Sequence, residues 1–217
     1  MFSIDNIIFT LGGNGVSLLE LVSVVTGLLC VFLAGRNKKF NFWVGYLYNI
    51  LLFVMFAQKH LYSAMLLQPV AFAINFFGQW RWSHPREGEE SAANSSNLKV
   101  STLTWEQRGW ALLFVAGAGL VWGFVLSRLG TSWFKGTFAP DPTPWLDAVV
   151  LMLTLLAQFL SAQKKWDCWI VWLMVNIANI CLYLSAGLSF MPIVSGLYLI
   201  NGIWSLFTWY KLYKRNI

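Results

Sequence analysis

The sequence predicts an all-α integral membrane protein with seven transmembrane helices, ordered as three helices, a connector and three more (3+1+3). Three observations predict it: near-continuous apolar runs, a gapless internal repeat, and basic residues gathered at the ends of the runs. The 217 residues are 58% hydrophobic, 17% aromatic and 11% charged, with a mean hydropathy of +0.60. A soluble domain carries about 25% charged residues and breaks its apolar runs with amphipathic periodicity. The runs here are about 20 residues long, the length a helix needs to cross a bilayer.

The spans read as 17–35, 41–58, 61–82, 107–128, 145–162, 166–186 and 189–211. Moving residues 38–75 forward by 126 positions brings Lys38-Lys39-Phe40 onto Lys164-Lys165-Trp166, Trp43 onto Trp169 and Tyr46 onto Trp172. The same shift brings Ser63 onto Ser189, Met65 onto Met191 and Asn75 onto Asn201, and sets Asn176 opposite Ile50. The units are therefore 17–83 as a first three-helix repeat, 84–104 as a cytoplasmic linker, 107–128 as a connector helix and 145–213 as a second repeat. A triple contains an odd number of crossings, so one extra helix is needed for the second triple to enter the membrane in the same sense. That makes a parallel repeat about an axis along the membrane normal, a SWEET-like arrangement.

The formal charge of +6 sits in short clusters beside apolar segments, which is the pattern of topology signals rather than of nucleic-acid binding. Arg36, Lys38, Lys39, Arg81, Arg86, Lys99, Arg108, Lys164, Lys165, Lys211, Lys214 and Arg215 fall on one side. Lys59, Arg128 and Lys135 fall on the other. The crowded side is expected to be cytoplasmic, with the N-terminus outside and the C-terminus inside. The polar stretch 84–104 reads as a solvated, mobile linker. Pro140, Pro142 and Pro144 are expected to hold the end of loop 129–144 extended. Cys30, Cys168 and Cys181 form no CxxC pair and read as small buried residues within helices.

Polar side chains deep in the spans carry the functional signal, because lipid offers them no partner. At about 100° per residue, Trp166, Trp169, Trp172, Asn176, Asn179 and Tyr183 share one face of the sixth span. Tyr198 and Asn201 share a face of the seventh, and Gln68 and Asn75 one of the third. The second span adds Tyr46 and Asn49, and the fifth adds Gln158. Interhelical glue is the plainer account of Asn75, and an interfacial belt that of Trp166 and Trp209. Trp169, Trp172 and Asn176 lie too deep for a belt. No span carries a buried cation, and Glu20, Asp147 and Asp167 lie near span ends, so a phosphate would lack its usual partners. Indoles and carboxamides instead suit a neutral or weakly cationic ring bearing hydroxyls.

Trp169-x-x-Trp172-x-x-x-Asn176 between 3+1+3 helices, followed by Asn201-Gly202, resembles the PnuC family of bacterial vitamin transporters. The resemblance covers essentially the whole chain, including the stretch Leu61-Tyr62-Ser63-Ala64-Met65-Leu66-Leu67-Gln68. It implies facilitated diffusion of nicotinamide riboside across the inner membrane, trapping by a cytoplasmic ribosylnicotinamide kinase, and a homotrimer. It carries Trp169, Trp172 and Asn176 over as motif positions, while Gln68, Asn49, Tyr198 and Asn201 come from the facing argument alone. Alternating access at one midplane site is expected, with Pro69 and Pro192 as candidate hinges.

No cofactor is expected, since the sequence holds no P-loop, and no intramembrane acid offers a proton relay. A SWEET-type carrier of sugars or another neutral vitamin is the alternative within the same class. An enzyme would need a nucleophile, metal cluster or acid–base pair, yet His60 and His84 lie at loop positions. A retinal receptor would need a lysine midway along the last helix, and Lys211 lies at its end.

Overall fold

Seven helices dominate the computed structural model, which describes residues 6–11, 13–58, 62–91, 94–129, 131–135, 143–185 and 190–215. They are α1 (Leu18–Gly35), α2 (Asn41–Gln58), α3 (Tyr62–Ser83), α4 (Trp105–Arg128), α5 (Pro144–Ala162), α6 (Cys168–Ser185) and α7 (Phe190–Arg215). Two short antiparallel ribbons accompany them. Strands β1 (Ile7–Leu11) and β2 (Asn14–Ser17) lead into α1, and β3 (Glu90–Ser91) and β4 (Asn94–Leu98) follow α3. Lys59, His60, Pro140 and Pro142 lie outside the described residues.

Helices α1, α2, α4, α5 and α7 are long and apolar enough to cross a membrane, and α6 carries a shorter apolar run, Cys168–Leu184. Gln68, Asn75, Gln79 and Arg81 lower the hydropathy of α3. The surface is inverted relative to a soluble protein. Val25, Ile50, Phe76, Leu120, Ile177 and Ile200 are each more than half exposed, while Ser23, Asn49, Gln68, Asn176, Ser195 and Ser205 are buried. Lipid is the solvent that favours this arrangement.

Local chemistry sets the helix starts. Ser17 and Glu20 form a capping box at α1, and Thr104 and Gln107 form one at α4. Pro144 opens α5, where its missing N–H costs no intrahelical bond. Pro69 instead lies inside α3, so the carbonyl of Met65 loses its helical donor. Pro192 differs from the expectation. It sits in the first turn of α7, where N–H groups have no intrahelical acceptor, so it breaks no bond.

The turns after α1 and α5 repeat bond for bond at an offset of 127 residues, one more than sequence likeness suggests. Arg36 N donates to Phe32 O as Gln163 N does to Phe159 O, and Asn37 N to Ala34 O as Lys164 N does to Ser161 O. Lys38 N donates to Leu33 O as Lys165 N does to Leu160 O. Asn37 and Lys164 both adopt the left-handed conformation, at φ 59° and 58°. The runs Lys38-Lys39-Phe40 and Lys164-Lys165-Trp166 are too uniform to expose a slip of one residue. At that offset Asn176 falls opposite Asn49 rather than Ile50.

The same offset relates two buried indoles. Trp82 of α3 donates Nε1–H to Ser161 O at the end of α5, at 3.1 Å. Trp209 of α7 donates to Ala34 O and Gly35 O at the end of α1, each at 3.1 Å. The two rings meet with centroids 5.6 Å apart. Phe42 stands edge-on to Trp82 at 5.0 Å, and Trp169 edge-on to Trp209 at 5.6 Å. Trp209 is thus a core residue rather than an interfacial anchor. Beside these pairs, α1 packs on α7 and α5 on α3, with Gly35 against Ser205 and Gly78 against Ala162. A Cβ on Gly78 would lie 3.0 Å from that of Ala162. Of the cysteines, Cys168 is buried, Cys30 half-buried and Cys181 exposed, and all three are free thiols.

The stretch 84–104 is not merely solvated. Leu98 and Val100 are buried in the main core cluster. Lys164 Nζ donates to Leu98 O at 2.7 Å, and Ser101 pairs with Lys165 in a parallel bridge. The Asp167 carboxylate accepts from Thr102 Oγ1, Leu103 N and the Arg108 guanidinium. The segment is a strap pinned onto the α5–α6 turn, because that turn presents donors and a carboxylate that match its backbone.

Two outcomes follow from this packing. Trp209→Phe leaves the Gly35 carbonyl at the end of α1 without its donor and Ala34 O with Asn37 N alone, and is expected to cost about 2 kcal/mol, read as a lower thermal midpoint in detergent. Trp82→Phe should cost less, because its acceptor Ser161 O keeps Lys164 N as a donor. Burial, helped by repulsion from Lys39, lowers the Lys164 ammonium from 10.5 to about 8. Between pH 8 and 10.5 the unfolded chain then binds more protons than the folded one, so stability rises with pH across that window. Lys164→Met should flatten this rise, and an unchanged slope would remove Lys164 as its source.

Candidate functional site

Helices α1–α3 and α5–α7 enclose a cavity of about 530 Å³, and no residue of α4 lines it. That volume falls within the range of about 300–1,000 Å³ usual for small-molecule sites. One end lies at the α5–α6 turn, where Trp169 is the second residue of α6, and is walled by Trp169 and Trp172. The far end is walled by Glu20 and Asp147, in the first turns of α1 and α5, with Tyr183. Between them stand Asn49, Gln68, Gln158, Asn176 and Asn179.

The helix-6 face read from the sequence is therefore the cavity wall, apart from Trp166. That ring packs against Tyr210 and Tyr213 with centroids 5.3 and 6.4 Å away. Trp169, Trp172, Asn176, Gln68, Asn49 and Tyr198 all line the cavity. Asn201 does not. Met191, Val194, Ser195, Tyr198 and Gly202 define the lining arc of α7. At about 100° per residue, Asn201 is turned about 100° from Gly202 and falls just outside that arc. Asn75 lies against Gly45, and Tyr46 donates to Gln79 Oε1 at 2.6 Å. Both serve packing between α2 and α3.

The polar groups are partly spent and partly open. Asn176 Nδ2 donates to Trp172 O at 2.8 Å within its own helix. Tyr48 and Tyr198 share a hydrogen bond between α2 and α7. Among the described residues no acceptor meets Asn49 Nδ2 or Trp169 Nε1, and no donor meets Gln158 Oε1. Asn49 is 5% exposed and Trp169 1%. A buried donor left unmade is costly, and these three lie on residues that line the cavity.

Glu20, Ser23, Tyr48, Asp147 and Thr154 also line the cavity and were not singled out as site residues from the sequence. The signal for the carboxylates was present. Glu20 and Asp147 stand 127 residues apart, the offset that the turns obey. Among the described residues no Lys, Arg or His lines the cavity, and no group of acids, histidines and thiols could hold a metal ion. The arrangement offers π faces at one end, amides in the middle and negative charge at the other. It can hold a flat, hydrogen-bonding, cation-tolerant solute and, among the described residues, offers no cation to pair with a phosphate.

Known proteins similar to the chain are transporters. The chain is 28% identical over 212 residues to the nicotinamide riboside transporter PnuC of Escherichia coli K12, covering 88% of this chain and 86% of that one. It is 26% identical over 197 residues to the riboflavin/roseoflavin transporter RibM of Streptomyces davaonensis, covering 91% and 86%. The crystal structure of the vitamin B3 transporter PnuC superposes with a TM-score of 0.65 at 29% identity, over 92% of this chain and 83% of that one. Residues 17–211 match the family described as nicotinamide mononucleotide transporter. With that match spanning nearly all of the seven-helix body, the chain belongs to the nicotinamide mononucleotide transporter family, a family of multi-pass membrane transporters and not of enzymes.

Proposed function

We propose that the chain carries nicotinamide riboside across the bacterial inner membrane by facilitated diffusion. The observation that carries this reading is one cavity joining two indoles of α6 to the amides of Asn49, Gln68 and Asn176 with no cation among its described lining residues. Nicotinamide riboside is a pyridinium cation with a carboxamide and ribose hydroxyls and without phosphate. Trp169 and Trp172 flank the ring, whose charge the indole faces attract. Asn176, Asn49 and Gln68 bond the carboxamide and ribose, and Tyr198 closes the wall. Asn201 stands behind the lining and is given no contact.

The 3+1+3 parallel repeat is supported by the 127-residue offset and by the exchanged packing of α1 on α7 and α5 on α3. Alternating access follows as a rocking of the two triples about the indole contact, with Pro69 as a hinge in α3 and no equivalent in α7. The basic turns argue for a cytoplasmic α1–α2 end and an outer N-terminus. Trapping by a cytoplasmic kinase makes passive entry productive, since the phosphorylated product finds no partner in this cavity. Assembly as a homotrimer rests on family resemblance, and the exposed apolar face of α4 (Leu112, Leu113, Leu120 and Val121) is available to it.

The likeness to RibM favours a second reading, in which riboflavin, also a flat ring with hydroxyls, is the solute. Tryptophan quenching by each vitamin in competition separates the two. Under the first reading, Trp172→Ala and Asn176→Ala each weaken nicotinamide riboside about tenfold or more, the equivalent of about 1.4 kcal/mol. Unchanged affinity in both variants would sink the site.

A further inference from the structure

We propose that Glu20 and Asp147 act together as a charge filter at the far end of the cavity, drawing in a cationic solute and turning away one that bears phosphate. This rests on the riboside reading and adds residues that the indole–amide motif does not contain. Both carboxylates line the one cavity. They come from the first turns of α1 and α5, at positions related by the same 127-residue offset as the turns and the capping indoles. Each half therefore contributes one acid to the same end of the cavity.

Two features separate a filter from simple helix capping. The first is placement: Glu20 is 8% exposed and faces a cavity with no cation in its described lining, where charge is felt over a long range. The second is the unmet need for a ligand in the same space. Asn49 Nδ2 and Trp169 Nε1, on residues nine-tenths buried or more, lack partners among the described residues. The capping role is real as well, since Glu20 Oε2 accepts from Ser17 N at 2.9 Å and from Ser17 Oγ at 3.2 Å. Glutamine serves in a capping box as glutamate does, so Glu20→Gln removes the charge and keeps the cap.

The test compares two forms of one molecule. Nicotinamide riboside is a cation, and its reduced 1,4-dihydropyridine form is neutral with nearly the same shape. Uptake of both, and of the 5′-phosphate of the oxidised form, is measured in phosphatidylcholine liposomes holding wild-type protein or the Glu20→Gln/Asp147→Asn double variant. The expected result is a loss of about tenfold in apparent affinity for the cation, with the neutral form changed less than about twofold, and weaker exclusion of the phosphate. The thermal midpoint should hold. Equal losses for both forms, or no loss for either, overturn the filter while wild-type uptake upholds the riboside reading. Wild-type protein that takes up neither form overturns that reading and the filter with it.

Discussion

The last carbonyls of a helix have no intrahelical donor, and near a membrane they need one from elsewhere. Here the turn amides of Asn37 and Lys164 supply part of that need and indoles from across the molecule supply the rest. Trp82 serves the end of α5, Trp209 serves the end of α1, and the two rings touch. This exchange fixes how closely α1 approaches α7 and α5 approaches α3, and small residues at Gly35 and Gly78 permit the approach. It also anchors the site. Trp169 stands edge-on to Trp209 while lining the cavity, so an indole of the cavity wall is held by the indole that caps the opposite helix.

The cavity's character follows from what surrounds it. Helices in lipid turn apolar side chains outward, so their amides, phenols and acids collect inside. The basic residues gather beyond the ends of the spans, in the turns and the strap, where Asp167 and backbone carbonyls accept from them. Among the described residues the cavity is thereby lined by no Lys, Arg or His, and two carboxylates stand at one end of it. The strap contributes by holding the α5–α6 turn, from which Trp169 and Trp172 project.

The helical class, the helices and the cavity-facing side of α6 were legible because lipid enforces simple patterns: apolar length, and polar residues on a single face. Asn201 falls just outside the lining arc of α7, an edge that a facing argument from two residues cannot locate. The strap's burial was hidden because Leu98 and Val100 are isolated apolar residues in a polar stretch, and only the partner turn makes them core. The offset of 127 was missed because likeness of residue type tolerates a slip that hydrogen bonding does not. At the offset of the turns, Asn49 falls opposite Asn176 and Glu20 opposite Asp147, a correspondence the sequence already holds.

The indole exchange also bears on how the chain comes to be folded. Trp209 lies 175 residues after Ala34, so the first helix emerges long before the donor that completes it. Contacts this distant in sequence form late and keep their partners exposed meanwhile. The end of α1 must wait, satisfied by water at the membrane surface, until the last helix has entered. A break in the chain shortly before Trp209 would accordingly be felt first at its opposite end, in the helix made earliest.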